Sequence, residues 1–277
     1  MNIKQIISKK SKNEKIVALT AYDYQMAKIL DSCGVDILLV GDSLGNVILG
    51  HKTTLPVTIE ASLLFTQAVT RATEHALVVG DMPFLSYQCA EDEAVKNAGR
   101  FLSEGGAGAV KLEGGSPRVA RLVERLVETG IPVMGHLGLT PQSYFQMGGY
   151  RKQATDSKAQ EKLKEEALRL EEAGVFALVL ECIPFEFAEE LSQTLQIPTI
   201  GIGSGDKTDG QILVVNDLLG LSASEPPKFV RPKLNLKNQI ETAVLGYVSE
   251  VKSNQPPLEK EKAPQKKSSG YLEGISL

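Results

Sequence analysis

Short apolar runs alternate with longer amphipathic stretches along almost the whole chain. The runs Ile16–Thr20, Asp36–Val40, Leu77–Gly80, Ala109–Leu112, Pro132–Gly135, Ala177–Leu180, Thr199–Gly201 and Ile212–Val215 are short and rich in Val, Ile and Leu. Their hydrophobicity is continuous rather than alternating, which suits parallel strands covered on both faces. Between them lie helical patterns over Tyr24–Cys33, Glu91–Glu104, Ser116–Thr129, Ser157–Ala173 and Phe185–Leu195. Gly34, Gly105, Gly130 and Gly174 stop four of these helices, and an apolar run follows each stop shortly afterwards. Pro117 fits a first helical turn. Eight strands in a recurring strand–helix–glycine unit predict a closed (β/α)8 barrel, the TIM-barrel class. An open dinucleotide-binding sheet fits less well. The late cluster Gly201-Ile202-Gly203-Ser204-Gly205 has Asp206 where the fingerprint needs its third glycine, so it reads as a tight turn.

A chain of 277 residues suits one barrel domain. The pattern assigns residues 1–252 to a single catalytic domain, with a polar, basic segment over 1–15 as a short helix below the barrel. Residues 253–277 are rich in Lys, Pro and Ser and read as a flexible tail whose Lys260–Lys267 charges are solvated. The net charge of −4 and the scattered basic residues exclude nucleic acid as the main partner. No run is long enough to span a membrane, and the N-terminus lacks a signal-peptide pattern, so the expected location is cytoplasmic. Cys33, Cys89 and Cys182 form no metal or disulfide pattern and are expected to be small buried hydrophobes.

Barrel enzymes gather their chemistry at the C-terminal ends of the strands. There the chain places Asp42 with Ser43, then Asp81, Lys111 with Glu113, His136, and Glu181. One such acid is commonly a helix cap or turn former. Three after consecutive strands repel one another across a narrow mouth unless a cation or protons compensate. Asp42, Asp81 and Glu113 are therefore candidate ligands of Mg²⁺, or of Mn²⁺ or a similar ion. Such an ion suits a small 2-oxo acid, whose carbonyl it polarises to favour loss of the neighbouring proton. Lys111 can neutralise the substrate carboxylate or enolate oxygen, and Ser43 can donate a hydrogen bond to it. Glu181, with apolar flanks that withdraw it partly from water, and His136 compete as general base; the residues alone do not choose between them. His51 and His75 lack a strand-end context and are treated as structural or exposed.

Several stretches, in order over roughly residues 5–250, resemble the ketopantoate hydroxymethyltransferase family, whose members are also called 3-methyl-2-oxobutanoate hydroxymethyltransferases. They are Thr20-Ala21-Tyr22-Asp23, Val40-Gly41-Asp42-Ser43-Leu44-Gly45, Gly80-Asp81-Met82-Pro83-Phe84, Lys111-Leu112-Glu113-Gly114-Gly115, Gly135-His136-Leu137-Gly138-Leu139-Thr140-Pro141-Gln142, Leu180-Glu181-Cys182-Ile183-Pro184 and Thr208-Asp209-Gly210-Gln211. The resemblance implies one-carbon transfer from 5,10-methylenetetrahydrofolate to 3-methyl-2-oxobutanoate, giving 2-dehydropantoate on the route to pantothenate. It implies Asp42 and Asp81 as Mg²⁺ ligands, with Glu113 as the third carboxylate of the metal site. It implies Asp42, Ser43, Asp81 and Lys111 as substrate contacts, Glu181 as proton acceptor, His136 as a pocket residue, and a homodecameric assembly. Lys52, Phe65 and residues 151–154 depart from the family pattern, and none is a candidate ligand or base. Two other readings are a 2-oxo-acid lyase of the phosphoenolpyruvate/isocitrate-lyase type and a silent 2-oxo-acid sensor. The first usually needs a cysteine in a lysine-rich, glycine-flanked loop, a context Cys89 and Cys182 lack. The second has little need of a base.

Overall fold

The computed structural model describes residues 1–223 and 225–253, so the tail assigned to 253–277 lies outside it beyond Ser253. The chain divides into two compact units, Met1–Leu234 and Asn235–Leu277. In the first unit, α1 (Ile3–Ser11) precedes β1 (Ile16–Thr20), α2 (Tyr24–Ser32), β2 (Ile37–Val40), α3 (Leu44–Val47) and α4 (Ile59–Ala72). Next come β3 (Leu77–Asp81), α5 (Glu91–Ser103), β4 (Ala109–Glu113), α6 (Pro117–Glu128) and β5 (Val133–Gly138). A 3-10 turn over Pro141–Ser143 leads to α7 (Tyr144–Met147), α8 (Ser157–Glu172), β6 (Ala177–Glu181) and α9 (Phe185–Thr194). The unit's last elements are β7 (Thr199–Ile202), β8 (Gly210–Leu213) and α10 (Val215–Leu219). The eight strands pair in parallel in chain order, and β8 returns to β1. The predicted (β/α)8 barrel is the observed fold.

Alternation along each strand sorts the side chains into two cores. Ile16, Ala18, Ile37, Leu39, Leu77, Val79, Ala109, Met134, Ala177, Val179, Ile200 and Ile212 form the inner core. Their neighbours Leu19, Leu38, Val78, Val110, Leu112, Val133, Leu178 and Leu180 join the helices in the outer one. Ile6 of α1 is fully buried against the inner core, a burial worth about 2 kcal/mol. Lys9 pairs with Asp36 at 2.8 Å and Lys10 with Asp209 at 2.7 Å, which pins α1 beside the starts of β2 and β8.

Several elements differ from the sequence pattern, the short α3, α7 and α10 and a helix over Leu236–Lys252 among them, and two of the differences have a clear physical reason. Helix α4 was not anticipated, because Ser62 and Thr66 occupy its buried face and break the apolar stripe. The Thr66 hydroxyl is satisfied by donating to the Ser62 carbonyl at 2.7 Å, so the face stays buried. Strand β8 starts two residues earlier than expected, at Gly210, which pairs with Ile16. A Cβ at position 210 would stand 2.5 Å from the Ile16 carbonyl oxygen, so only glycine admits that register. The second unit holds α11 (Leu236–Lys252), capped by the Asn235 side chain. None of its described residues is buried.

Asp31, buried near the end of α2, accepts hydrogen bonds from the backbone N–H groups of Glu74, His75 and Ala76, ahead of β3. Burial alone would raise its carboxyl, but these three donors outweigh it and hold the group below the usual carboxylate range. A depressed carboxylate contributes its stability above the unfolded-state value and loses it as pH falls through the folded value. Asp31→Ala should therefore cost about 2–3 kcal/mol in urea unfolding at neutral pH. The difference from wild type should shrink toward acid.

Candidate active site

The inward parity of the strands carries past the apolar layers to the strand ends. On β4, Lys111 and Glu113 follow Ala109 at steps of two and share its inner face. By the same count Asp81 follows Val79, His136 follows Met134 and Glu181 follows Val179. Register then sets neighbours side by side: Asp81 opposite Lys111, Glu113 opposite His136, and Glu181 opposite Gly138. A Cβ at Gly138 would lie 2.1 Å from the Glu181 carbonyl oxygen, so β5 passes β6 there only as glycine. Asp42 enters from just beyond β2, where its backbone N–H donates to Asp81 Oδ2 at 3.0 Å.

The result is one buried, mixed-charge cluster. Lys111 Nζ lies 2.7 Å from Asp81 Oδ1 and 3.9 Å from Glu113 Oε1. His136 Nδ1 lies 3.6 Å from Glu113 Oε1, and His136 Nε2 lies 3.1 Å from Glu181 Oε2. Asp42, Asp81, Lys111, Glu113 and His136 are all buried, whereas Glu181 keeps 16% of its side chain exposed. The site therefore grades from an enclosed acidic interior to a carboxylate that solvent or substrate can reach. Ser43 is half-buried, and its hydroxyl is held 2.8 Å from the Tyr22 hydroxyl.

Burial, with the charges of Asp81 and Glu113, pushes the Asp42 carboxyl up to about 8. Burial raises the Asp81 carboxyl as well, against the pull of Lys111. Burial works against the Lys111 ammonium, but the three carboxylates outweigh it and hold the group charged. Burial and Lys111 likewise oppose protonation of His136, yet its bonds to Glu113 and Glu181 lift it to about 9. Three acids thus compete for too little positive charge, and a cation relieves that shortage.

The residues fit a divalent ion in their chemistry. Glu113 Oε1 is buried with no partner at close hydrogen-bond distance, its nearest donors being His136 Nδ1 at 3.6 Å and Lys111 Nζ at 3.9 Å, whereas Asp81 Oδ1 is held by Lys111. The donor set is all oxygen, as Mg²⁺ prefers. Among the described residues, no three His, Cys, Asp or Glu side chains stand together as a ready-made cage. This suits an ion held by one or two carboxylates, with water and substrate oxygens completing its shell.

Several functional neighbours were not visible as such in the sequence. Tyr87 is buried and accepts from the Glu113 backbone N–H at 3.1 Å, and Gln142 touches both Asp42 and Glu113. Gln142 stands in a quoted motif, so the motif itself was the available signal. The cysteines differ from expectation: Cys33 and Cys89 are exposed and Cys182 is half-buried. Cys33 caps the solvent end of α2, and Cys89 lies in the loop before α5, so neither reaches the core. Burial, with the Glu181 charge, pushes the Cys182 thiol up to about 12 and leaves it a poor nucleophile. His51 and His75 are exposed.

Fold and site define the class: a (β/α)8-barrel enzyme with a buried acid–lysine–histidine cluster at its strand ends. The family model for ketopantoate hydroxymethyltransferase matches residues 1–259, and the chain belongs to that family. It is 54% identical over 248 residues to the 3-methyl-2-oxobutanoate hydroxymethyltransferase of Syntrophus aciditrophicus, covering 90% of this chain and 91% of that one. The enzyme of the same name from Pseudothermotoga lettingae is 54% identical over 259 residues, covering 94% and 97%. In structure the chain is similar to a phosphonopyruvate hydrolase complexed with oxalate and Mg²⁺, with TM-score 0.62, 10% identity and coverage of 96% and 93%. It is also similar to 2,3-dimethylmalate lyase, a PEP mutase/isocitrate lyase superfamily member, with TM-score 0.61, 15% identity and coverage of 95% and 91%. At such low identity these two structures speak for the fold alone. No helix among the described residues is long and apolar enough to cross a membrane.

Lys111→Met should expose the electrostatic tension directly. Removing one partner of a buried ion pair costs about 3–5 kcal/mol, so the urea midpoint at neutral pH should fall accordingly. An unchanged midpoint would show that the carboxylates need no internal cation.

Proposed function

We propose that the protein transfers a hydroxymethyl group from 5,10-methylenetetrahydrofolate to 3-methyl-2-oxobutanoate, forming 2-dehydropantoate. The observation that carries this reading is the chain of contacts from Glu181 through His136 to the buried Asp42–Asp81–Lys111–Glu113 cluster. It sets a reachable base beside a place for a 2-oxo acid, in a chain of this family. Asp42 and Asp81 would hold Mg²⁺ or a similar ion, with Glu113 acting on it through water. When bound, the ion supplies Lewis-acid polarisation of the 2-oxo group.

The chain's own groups account for the remaining steps. Ser43, oriented by Tyr22, donates to the substrate, and Lys111 balances the negative charge of its carboxylate. Glu181 removes the C3 proton, and the adjoining His136 stabilises the carboxylate before that transfer and orients it for the reaction. Water splits the methylene group from the folate as formaldehyde, both C–N bonds breaking and water's two protons passing to the two nitrogens of the departing tetrahydrofolate. The C3 carbanion equivalent adds to the carbonyl carbon of formaldehyde, forming the new C–C bond, and the resulting alkoxide takes up the proton held by Glu181. Enclosure of the acidic interior keeps bulk water from quenching the carbanion early. The family resemblance supports a homodecamer working in the cytoplasm.

The proton step can be observed alone. With Mg²⁺ and 3-methyl-2-oxobutanoate in D2O but without folate, NMR should show exchange of the C3 proton. Glu181→Gln should slow exchange at least about 100-fold. Exchange that survives the substitution would remove Glu181 as base. When methylenetetrahydrofolate is added, 2-dehydropantoate should accumulate. Exchange without product would instead favour an enolising barrel of the lyase type.

A further inference from the structure

Gln142 follows β5 in the 3-10 turn, and its amide is buried among the ends of the preceding strands. Its Nε2 donates to Asp42 Oδ2 at 3.1 Å, beyond β2, and to the Met82 carbonyl at 2.9 Å, beyond β3. Its backbone N–H donates to Glu113 Oε2 at 3.0 Å, at the end of β4. Its Oε1 accepts from the Tyr87 hydroxyl and from Gln88 Nε2, both at 3.0 Å. One residue therefore joins four successive strand ends, and every donor and acceptor of its side-chain amide is engaged.

These partners also fix which way the amide faces. Turned over, Oε1 would oppose the Asp42 carboxylate and the Met82 carbonyl, two acceptors, and the Gln88 amide would face a donor. In the observed orientation Nε2 occupies one oxygen of Asp42, while the backbone N–H of the same residue occupies one of Glu113. Their second oxygens remain outside these bonds, and Glu113 Oε1 is among the buried atoms that accept none. Glutamine can do this where a carboxylate or an aliphatic side chain cannot. It donates to an acid, accepts from two polar side chains, and adds no charge to a site already short of cations.

We propose that Gln142 is the positioning residue of this site, setting the Asp42 and Glu113 carboxylates so that their second oxygens are presented to a divalent cation. The inference rests on the metal-site reading above. It makes Gln142 a positioning residue rather than a catalytic one, because it acts on the cation through Asp42 and Glu113. Gln88 supports the arrangement only by holding the amide in place.

Mn²⁺ binding to the folate-free and substrate-free protein tests the proposal without reference to turnover. Bound ion is counted from the loss of the free-Mn²⁺ EPR signal. Gln142→Met keeps the length of the side chain and the backbone donor to Glu113 but removes the amide. It should weaken Mn²⁺ binding about ten-fold, the lower end of what such supporting bonds are worth. Gln88→Met should weaken binding less, and should add nothing in the Gln142→Met background, since its effect passes through the amide. A merely structural role would instead lower the unfolding midpoint and leave the affinity of the folded protein unchanged. Folded Gln142→Met that binds Mn²⁺ as wild type does would overturn the proposal while leaving the metal site standing. Wild type that binds no Mn²⁺ would overturn the metal-site reading, and this inference with it. If Gln142→Met does not fold, Gln88→Met decides: weaker binding supports the proposal and unchanged binding overturns it.

Discussion

Three carboxylates sharing one buried lysine is the constraint from which the rest of the site follows. Asp42, Asp81 and Glu113 are withdrawn from water, and Lys111 meets Asp81 closely and Glu113 only at 3.9 Å. Such an arrangement is costly by itself, because desolvation and like charge act together. The fold supports it by enclosing these groups in a closed barrel with two apolar cores beneath and around them. It also supplies directed donors: the Asp42 N–H for Asp81, and Gln142 for Asp42 and Glu113. On the proposed reading a divalent cation would bring the positive charge that is still missing. Stability and chemistry would then be linked at one point, since the groups whose burial is costly would also hold the reacting centre.

Strand geometry determines which side chains join that point. Alternation puts Lys111 and Glu113 on the same inner face, and parallel register sets them beside Asp81 and His136. His136 then carries the connection outward to Glu181, the more exposed carboxylate. The sequence of contacts separates two tasks that would interfere if merged. On the proposed reading the interior would handle charge on the 2-oxo acid, and the rim the proton. Glycine at position 138 lets the strand with His136 run close to the one with Glu181.

Much of this was legible from residue order. The strands are readable because parallel strands buried on both faces are apolar without interruption, and on β2 to β6 the break from apolar residues to Asp, Glu or His marks the mouth. What the pattern could not carry was polar burial satisfied locally. Helix α4 hides because Thr66 donates back to the Ser62 carbonyl, which lets the Thr66 hydroxyl occupy a buried face. Gln142 and Tyr87 hide for a related reason: their importance lies in partners contributed by strands far away in sequence. The cysteines misled in the opposite direction, since a small thiol is tolerated at a helix end or in a loop as readily as in a core. The choice between Glu181 and His136 as base was open from spacing and rested on family resemblance. The geometry is consistent with that choice, since His136 is enclosed between two carboxylates while Glu181 keeps an exposed edge.

If the buried acids form a cation site, a divalent ion must stabilise the folded chain, and must do so through these side chains. The direct measurement is the thermal unfolding midpoint across a Mg²⁺ titration, with and without 3-methyl-2-oxobutanoate, for wild type and Asp81→Asn. A ligand of the folded state at 100 times its dissociation constant adds about 2.7 kcal/mol. The account predicts a wild-type midpoint that climbs with Mg²⁺, climbs further with the oxo acid, and responds far less in Asp81→Asn. A wild-type midpoint indifferent to Mg²⁺ with the oxo acid present, or an equal rise in Asp81→Asn, would contradict it.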